Sequence, residues 1–390
     1  MKRNEINLIN NFLSTVKKVS RADINYIHEP FLNHKEKSIL NDCITKNQVS
    51  AVGNYKNKFE KLIKKFTKSK YVISTSTGTS ALHLTLRAIG ANKDHEILIP
   101  SFNFIAAANA VLYCNSTPHF VDINSKNLGI DPDYLNSYLN KISKVKNNKC
   151  INKKTNKIIY AVIPVYVFGN SYDIEKLIKV CRKFKLKMIE DSAEALGTFY
   201  KGRHAGTYGL AGCLSFNGNK IITSGSGGAV ITNNKKIYEF ISKLVFNGKI
   251  KHNYELIYEN QSLNFRLSDL NAALGCAQME KISFFLKLKR QLAKKYMKLF
   301  EKNNSFYFLT ENSNTKSNYW LNTVILDDKH INLRSKIFQK AKLKKVPIRP
   351  VWKPLHSLNY LKKYPKSKLK ITNKMYKKVI NLPSSAILGK

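Results

Sequence analysis

Residues 215–220 have the sequence Ser-Phe-Asn-Gly-Asn-Lys and combine a strand, a turn and a single lysine. The apolar run from Cys213 to Phe216 predicts a buried strand, and a short glycine-containing turn then delivers Lys220. A glycine-rich segment ending at Gly228 follows, and then a second predicted strand at 229–232. A lysine on a rigid turn beside a buried strand suits Schiff-base chemistry, because burial can lower the pKa of its amine toward neutrality.

Two upstream motifs add an acid and an anion site. Residues 188–195 (MIEDSAEA) predict a hydrophobic strand that ends in the adjacent carboxylates Glu190 and Asp191. Adjacent strand residues face opposite ways, so only one of the two can point at a ligand. Residues 76–80 (STGTS) lie between a predicted strand and a predicted helix, and a helix N-terminus favours an anion such as phosphate.

These motifs together resemble the sugar aminotransferases of the DegT/DnrJ/EryC1/StrS family, which use pyridoxal phosphate (PLP). The resemblance runs from about residue 50 to the C-terminus and includes further motifs at 100–104 and 264–269. A narrower likeness points to the branch that serves legionaminic acid or bacillosamine-type sugars. It rests on four short segments: 27–30, 49–53, 117–122 and 317–322.

The resemblance implies a role for each matching residue. Lys220 is the catalytic residue that carries PLP and moves the proton. Asp191 keeps the pyridine nitrogen protonated, and Phe104 stacks on the ring. The remaining cofactor-binding residues are Gly78, Thr79 and Ser215 at the phosphate, Glu194 in the same site, and Asn264 reaching in from a second subunit.

The sequence offers fewer candidates for substrate-binding residues. His356, in a segment similar to the family's R-P-x-x-x-P-L-H motif, is expected to line the substrate pocket, and Val52, Gly53 and Tyr319 are weaker candidates. Glutamate at 194 stands where many relatives have histidine, although the branch named above commonly has glutamate. Other departures, among them Tyr166 in place of a more usual histidine, affect the pocket and not the chemistry.

The activity implied is transamination of a nucleotide-linked 4-keto-6-deoxy-hexose, with L-glutamate as amino donor, by a homodimer with shared active sites. The branch motifs favour an N-acetylated hexose, whereas the nucleotide, UDP or GDP, stays open. Two alternatives are a dehydratase of the same fold and a non-catalytic polyanion-binding protein. In the dehydratases a histidine replaces the lysine, which disfavours that alternative because position 220 is lysine.

Short apolar strands alternate with amphipathic helices from Tyr71 onward, which predicts an α/β protein with a mostly parallel sheet. The resemblance implies the aspartate-aminotransferase fold (PLP fold type I). Three parts are expected: an N-terminal helical segment at 1–48, a large PLP-binding domain at 49–280 and a small C-terminal α+β domain at 281–390.

The formal net charge of +42 suggests a nucleic-acid partner, but the pattern of the charge does not support one. Lysine greatly outnumbers arginine, the better reader of phosphates and bases, and the charge is spread along the chain. Its densest runs, 141–157, 342–345 and 362–370, are expected in loops and on exposed helix faces. We therefore attribute the charge to coding bias and solubility, and expect no nucleic-acid partner.

The cysteines, the histidines and the apolar runs indicate that this is not expected to be a metal-binding, membrane-spanning or secreted protein. The six cysteines form no C-x-x-C pair and the nine histidines form no metal-binding motif, so a metal is not expected. Apolar runs fall well short of about 20 residues, the length of a membrane span. The N-terminus lacks the apolar core of a signal peptide. A cytoplasmic protein is expected, with its cysteines as small core residues.

Overall fold

The computed structural model describes residues 3–20, 26–51, 53–245, 249–250, 254–255, 257–258 and 262–390. Within these ranges the helices are α1 (Arg3–Lys17), α2 (His34–Thr45), α3 (Asn54–Thr67), α4 (Gly78–Ala88), α5 (Ala106–Tyr113), α6 (Pro132–Ile142), α7 (Ile174–Lys183), α8 (Lys235–Val245), α9 (Asp269–Glu280), α10 (Ile282–Phe300), α11 (Arg334–Leu343) and α12 (Lys370–Tyr376). The strands are β1 (Tyr71–Thr75), β2 (His95–Pro100), β3 (Thr117–Val121), β4 (Ser143–Lys146), β5 (Lys149–Asn152), β6 (Ile158–Val162), β7 (Lys187–Asp191), β8 (Phe199–Tyr200), β9 (Arg203–His204), β10 (Ala211–Ser215), β11 (Gly228–Thr232), β12 (Lys249–Ile250), β13 (Ile257–Tyr258), β14 (Phe306–Phe308), β15 (Thr315–Lys316), β16 (Asn322–Leu326), β17 (Arg349–Pro350) and β18 (Val379–Leu382).

The main sheet has the strand order β1-β11-β10-β7-β6-β2-β3. The five strands from β10 to β3 pair in parallel. Strand β11 runs antiparallel to both of its neighbours, β1 and β10. The predicted α/β class with a mostly parallel sheet is therefore confirmed.

Helices cover both faces of this sheet, and strand β2 shows why its sequence is apolar throughout. Ile97 and Ile99 pack into a cluster with residues of α4, α5 and α8. Leu98, which points the other way, packs into a second cluster with residues of α6 and α7. A strand buried on both faces needs a continuous apolar run and not an alternating one.

The basic run 141–157 does not form the loop or helix surface expected from its charge. It contains strands β4 and β5, which pair as an antiparallel hairpin from Ser143 opposite Asn152 to Lys146 opposite Lys149. Asn147 and Asn148 form the two-residue turn, and both have positive φ, 49° and 58°. Asparagine tolerates this backbone better than most residues, and two such residues match the twist of a hairpin. That prediction was wrong because local turn chemistry outweighed the lysine content.

A second sheet, of order β14-β16-β18-β17, forms in the C-terminal part of the chain. Helix α1 packs on it, and Phe12 stacks on Phe306 with 4.1 Å between ring centroids. The N-terminal segment thus packs partly on C-terminal elements. The three-part division at 48 and 280 stays a prediction.

Three features of this fold bear on function. Strand β7 ends at Asp191 and β10 at Ser215, at the carboxyl edge of the parallel strands where ligands of α/β proteins bind. All six cysteines are buried and free of disulfides. Among the described residues, none of the helices combines the length and apolar character required to cross a membrane.

Candidate active site

A cavity of about 330 Å³ opens where β7 and β10 end and α4 begins. It brings together every residue predicted to bind the cofactor, with the exception of Asn264. The lining residues that the sequence predicted are Gly78, Thr79, Phe104, Asp191, Glu194, Ser215 and Lys220. Segments far apart in the chain therefore converge on one cavity.

Lys220 lies on the turn after β10 with its amine directed into the cavity. Its backbone N–H donates to the Asn217 carbonyl at 3.0 Å, which closes the turn. The side chain is only 14% exposed. Its Nζ lies 3.6 Å from Glu194 Oε1 and 4.0 Å from the centre of the Trp320 ring. The amine is thus held between a carboxylate and an aromatic face.

Glu194 is buried beside this lysine. Burial raises the pKa of Glu194 to about 7, although the positive charge of Lys220 acts in the opposite direction. The Phe168 N–H donates to Glu194 Oε2 at 2.9 Å. Phe168 itself has φ of 55°, a conformation that costs energy for a bulky residue and is often found at functional sites. The carboxyl is therefore able to exchange a proton near neutral pH.

Asp191 and its neighbour Glu190 face opposite sides of β7. Asp191 Oδ1 accepts from the Ala193 N–H at 3.2 Å, and burial raises the pKa of Asp191. Glu190 instead accepts from the Tyr166 hydroxyl and from three backbone N–H groups at 206, 208 and 209. Glu190 thus anchors the loop before β10, and the Tyr166 hydroxyl takes part in this anchor.

The start of α4 forms an anion cradle. Thr77 caps the helix by accepting from the Ser80 N–H at 3.0 Å. The first N–H groups of a helix have no partner within the helix, so they are available to a ligand. A Cβ added at Gly78 would come within 2.9 Å of Ser215 Cβ, and one at Gly228 within 2.4 Å of the Thr77 carbonyl oxygen. Both glycines are required for the glycine-rich loop, β10 and α4 to approach this closely.

Sequence reasoning missed two tryptophans that line the cavity, Trp320 and Trp352. Trp352 packs edge-on against Phe104, with 6.3 Å between ring centroids and 60° between their planes. The Phe104 ring is 51% exposed, so one of its faces is open to a ligand. Both tryptophans lie in segments whose likeness to the family was noted, but nothing local indicated that they would line this cavity.

Several predicted residues do not lie at the cavity. Asn264 is exposed, with Oδ1 accepting from Arg266 Nε at 3.4 Å. The His356 ring bonds the Ser101 hydroxyl at 2.7 Å, and Tyr319 is buried with its hydroxyl accepting from the Glu311 N–H. The Gly53 N–H donates to Asp269, and Val52 is outside the described residues.

Comparison with known proteins supplies a family. A family model described as the DegT/DnrJ/EryC1/StrS aminotransferase family matches residues 30–390. GDP-perosamine synthase of Vibrio cholerae is 33% identical over 362 residues, covering 92% of this chain and 93% of that protein. UDP-4-amino-4,6-dideoxy-N-acetyl-beta-L-altrosamine transaminase of Helicobacter pylori is 27% identical over 365 residues, covering 93% and 92%.

A solved structure supports the fold. The aminotransferase PseC of Helicobacter pylori, involved in the biosynthesis of pseudoaminic acid, superimposes with a TM-score of 0.83 at 26% identity. The match covers 92% of this chain and 93% of that one. The aspartate-aminotransferase fold predicted from the motifs is confirmed. The narrower likeness to the legionaminic acid branch stays a prediction.

Proposed function

The chain belongs to the DegT/DnrJ/EryC1/StrS aminotransferase family, and on that premise we propose that it is a PLP-dependent aminotransferase of a nucleotide-linked sugar. L-Glutamate gives the amino group, and the 4-keto group of a 6-deoxy-hexose receives it. One observation carries the proposal: the Lys220 amine, the Asp191 carboxylate and the N-terminus of α4 line the same cavity. These groups match the aldehyde, the ring nitrogen and the phosphate of a single cofactor.

The residues around the cavity fit PLP. The N–H groups at Gly78 and Thr79 and the Ser215 hydroxyl would hold the phosphate, in a cradle that a side chain at position 78 would fill. Asp191, buried and acidic, would pair with a protonated ring nitrogen, and the exposed face of Phe104 would cover the ring. When bound, PLP supplies an electron sink for the reacting carbon.

Lys220 is the group that carries the cofactor between turnovers and that moves the proton at Cα of the amino donor. Glu194 Oε1 lies 3.6 Å from the Nζ of Lys220 and would hold this amine in the cavity. Trp320 covers the other side of the amine and limits access of water to it. The same lysine serves both half-reactions, since the ketosugar takes the nitrogen by the reverse sequence.

The sugar substrate is proposed more narrowly from the relatives and from the branch motifs. The names of the relatives include both a GDP-linked and a UDP-linked, N-acetylated sugar. The branch motifs at 27–30, 49–53, 117–122 and 317–322 favour an N-acetylated 4-keto-6-deoxy-hexose. The product is then an amino sugar for a surface polysaccharide or glycan.

The experiment is a substrate panel. Purified protein with PLP and L-glutamate is offered UDP- and GDP-linked 4-keto-6-deoxy sugars, each with a 2-acetamido or a 2-hydroxyl group. Mass spectrometry of the sugar and an assay for 2-oxoglutarate identify the substrate. We expect the native protein to aminate one combination of nucleotide and 2-substituent, and Lys220→Ala to aminate none of them. Absence of amination across the panel, with PLP bound, would contradict the proposed substrate class.

We propose a homodimer in which Asn264 reaches the partner's cofactor phosphate. The segment carrying Asn264 is fixed beside the anion cradle, because the Ser76 N–H donates to the Phe265 carbonyl at 2.8 Å. Phe104 and Tyr113, 51% and 58% exposed, line a second cavity on the outer side of the same cradle. Exposed aromatic side chains rimmed by polar groups are typical of a surface that a partner covers.

A further inference from the structure

Lys289, in the middle of α10, is a fully buried lysine outside the cavity lining. Its side chain is 0% exposed, and burial lowers the pKa of its amine well below the usual value. Its Nζ donates to the Trp320 carbonyl at 2.7 Å and to the Ser384 carbonyl. Among the described residues no acid forms an ion pair with this amine, and burying an amine against carbonyls alone is costly, so a specific use for it is expected.

The position of Trp320 depends on this contact. Lys289 fixes its carbonyl, and Asn318 Oδ1 accepts from its backbone N–H at 2.8 Å. Its indole Nε1 donates to the Asn219 carbonyl at 2.6 Å, in the residue before Lys220. These contacts fix the indole ring, and the Lys220 amine lies 4.0 Å from the centre of that ring. A continuous set of contacts therefore joins α10 to the catalytic amine.

We propose that Lys289 is a positioning residue for Lys220, and that it acts through Trp320 by fixing the indole face on which the amine rests. The inference rests on the proposed function, in which Lys220 is the catalytic amine. Lys289 contacts neither cofactor nor substrate in this proposal. Its long side chain reaches from α10 to two loops, and its N–H donors join those loops at the Trp320 and Ser384 carbonyls.

The first test uses the cofactor-free chain and needs no turnover. The sequence has two tryptophans, so a Trp352→Phe background leaves Trp320 as the one tryptophan, which is excited selectively over the tyrosines. Lys289→Met in that background removes both hydrogen bonds. We expect greater quenching of Trp320 fluorescence by acrylamide and a shift of its emission. Lys289→Gln, which keeps amide donors on a shorter side chain, should give a smaller effect and replaces Lys289→Met if the latter fails to fold.

Tyr296→Phe is the matched control. Tyr296 is also buried on α10, and its hydroxyl donates to the Pro383 carbonyl at 3.0 Å, next to Ser384. This variant removes a hydrogen bond between the same helix and the same loop without touching Trp320. Its Trp320 fluorescence should match that of the parent. Equal changes in the two variants would reduce Lys289 to a structural contact and overturn the proposal.

The second test uses the PLP-loaded enzyme with native Trp352. In Lys289→Met, kcat should fall at least about tenfold with KM for the sugar unchanged, since a misplacement of about 1 Å can cost about 100-fold in rate. The absorption band of lysine-bound PLP should also shift, and Tyr296→Phe should change neither. In a cycle with Trp320→Ala, which removes the ring on which the amine rests, Lys289→Met should have little additional effect, because residues that act through one another are not additive.

Two results separate this inference from the proposed function. If the parent protein binds no PLP, the proposed function fails, while the fluorescence comparison still decides whether Lys289 fixes Trp320. If the parent is active and Lys289→Met keeps its kcat and absorption band, Lys289 does not position the amine. Full additivity in the cycle would equally overturn the inference.

Discussion

Replacing Glu194 by glutamine is expected to stabilise the cofactor-free protein at neutral and alkaline pH. Glu194 is buried beside Lys220, and burial raises the pKa of Glu194 to about 7 even though Lys220 favours the charged form of the carboxyl. Unfolding releases the carboxyl into water, where its pKa is the ordinary 4.5. Folding at high pH therefore has to bury a charge that glutamine does not carry.

The sign and size follow from proton linkage. Below about pH 4.5 both the folded and the unfolded chain bind this proton, and between about 4.5 and 7 only the folded chain does. The free energy of unfolding of the native protein thus falls as pH rises through this window. The difference between 4.5 and about 7 corresponds to about 3 kcal/mol at 1.36 kcal/mol per pKa unit.

Urea unfolding of the native chain and of Glu194→Gln, without PLP, measures this at intervals from about pH 5 to 8. The free energy of unfolding of the variant should exceed that of the native protein by a difference that grows with pH and reaches about 3 kcal/mol at pH 8. Glu311→Gln is the control of opposite sign, because its ion pair with Arg290 keeps the pKa of Glu311 low, against a contribution from burial that raises it. That variant should lose stability near neutrality. A pH-independent difference for Glu194→Gln would refute the reasoning.

Three further predictions address the cofactor site and the charge. Lys220→Ala should lose turnover and the visible absorption band of lysine-bound PLP, yet still bind PLP. Asp191→Ala should keep the band and lose most of the rate, so absorption spectra and kcat separate the two variants. A retained band in Lys220→Ala would show that another lysine binds PLP. Asn264→Ala should weaken PLP binding by about 1.5–3 kcal/mol, the contribution of a hydrogen bond to a charged group. Equilibrium dialysis of the dimer measures this affinity, and an unchanged affinity would contradict the shared site. Binding to random duplex DNA should vanish at moderate salt in a filter or gel-shift assay, and binding that survives physiological salt would revive a nucleic-acid function.

Much of the fold followed from local sequence. Buried strands such as β7 and β10 were predicted because continuous apolar runs leave few alternatives to a sheet covered on both faces. The opposed directions of Glu190 and Asp191 followed from strand geometry alone. The candidate cofactor-binding residues were predicted because each belongs to a short motif that resembles a motif of the aminotransferase family.

The rest of the site depends on tertiary packing. Trp320 lies 100 residues after Lys220, and its place over the amine is set by Lys289, Asn318 and Asn219 together. No local pattern specifies such a convergence. Tyr319 illustrates the same limit. Its φ is 46° and its hydroxyl accepts from the Glu311 N–H, so Tyr319 turns away from the cavity that the neighbouring Trp320 lines.

The electrostatics of the cavity are separate from the excess positive charge of the chain. Among the described lining residues Lys220 is the one basic side chain, and two acids, Asp191 and Glu194, accompany it. Lysines of the β4–β5 hairpin, by contrast, are exposed to solvent, where salt screens their effect beyond about 10 Å at 0.1 M. The charged groups that share the cavity with Lys220 are therefore these two buried acids, so substitutions at them should alter the pH dependence of the enzyme far more than removal of surface lysines.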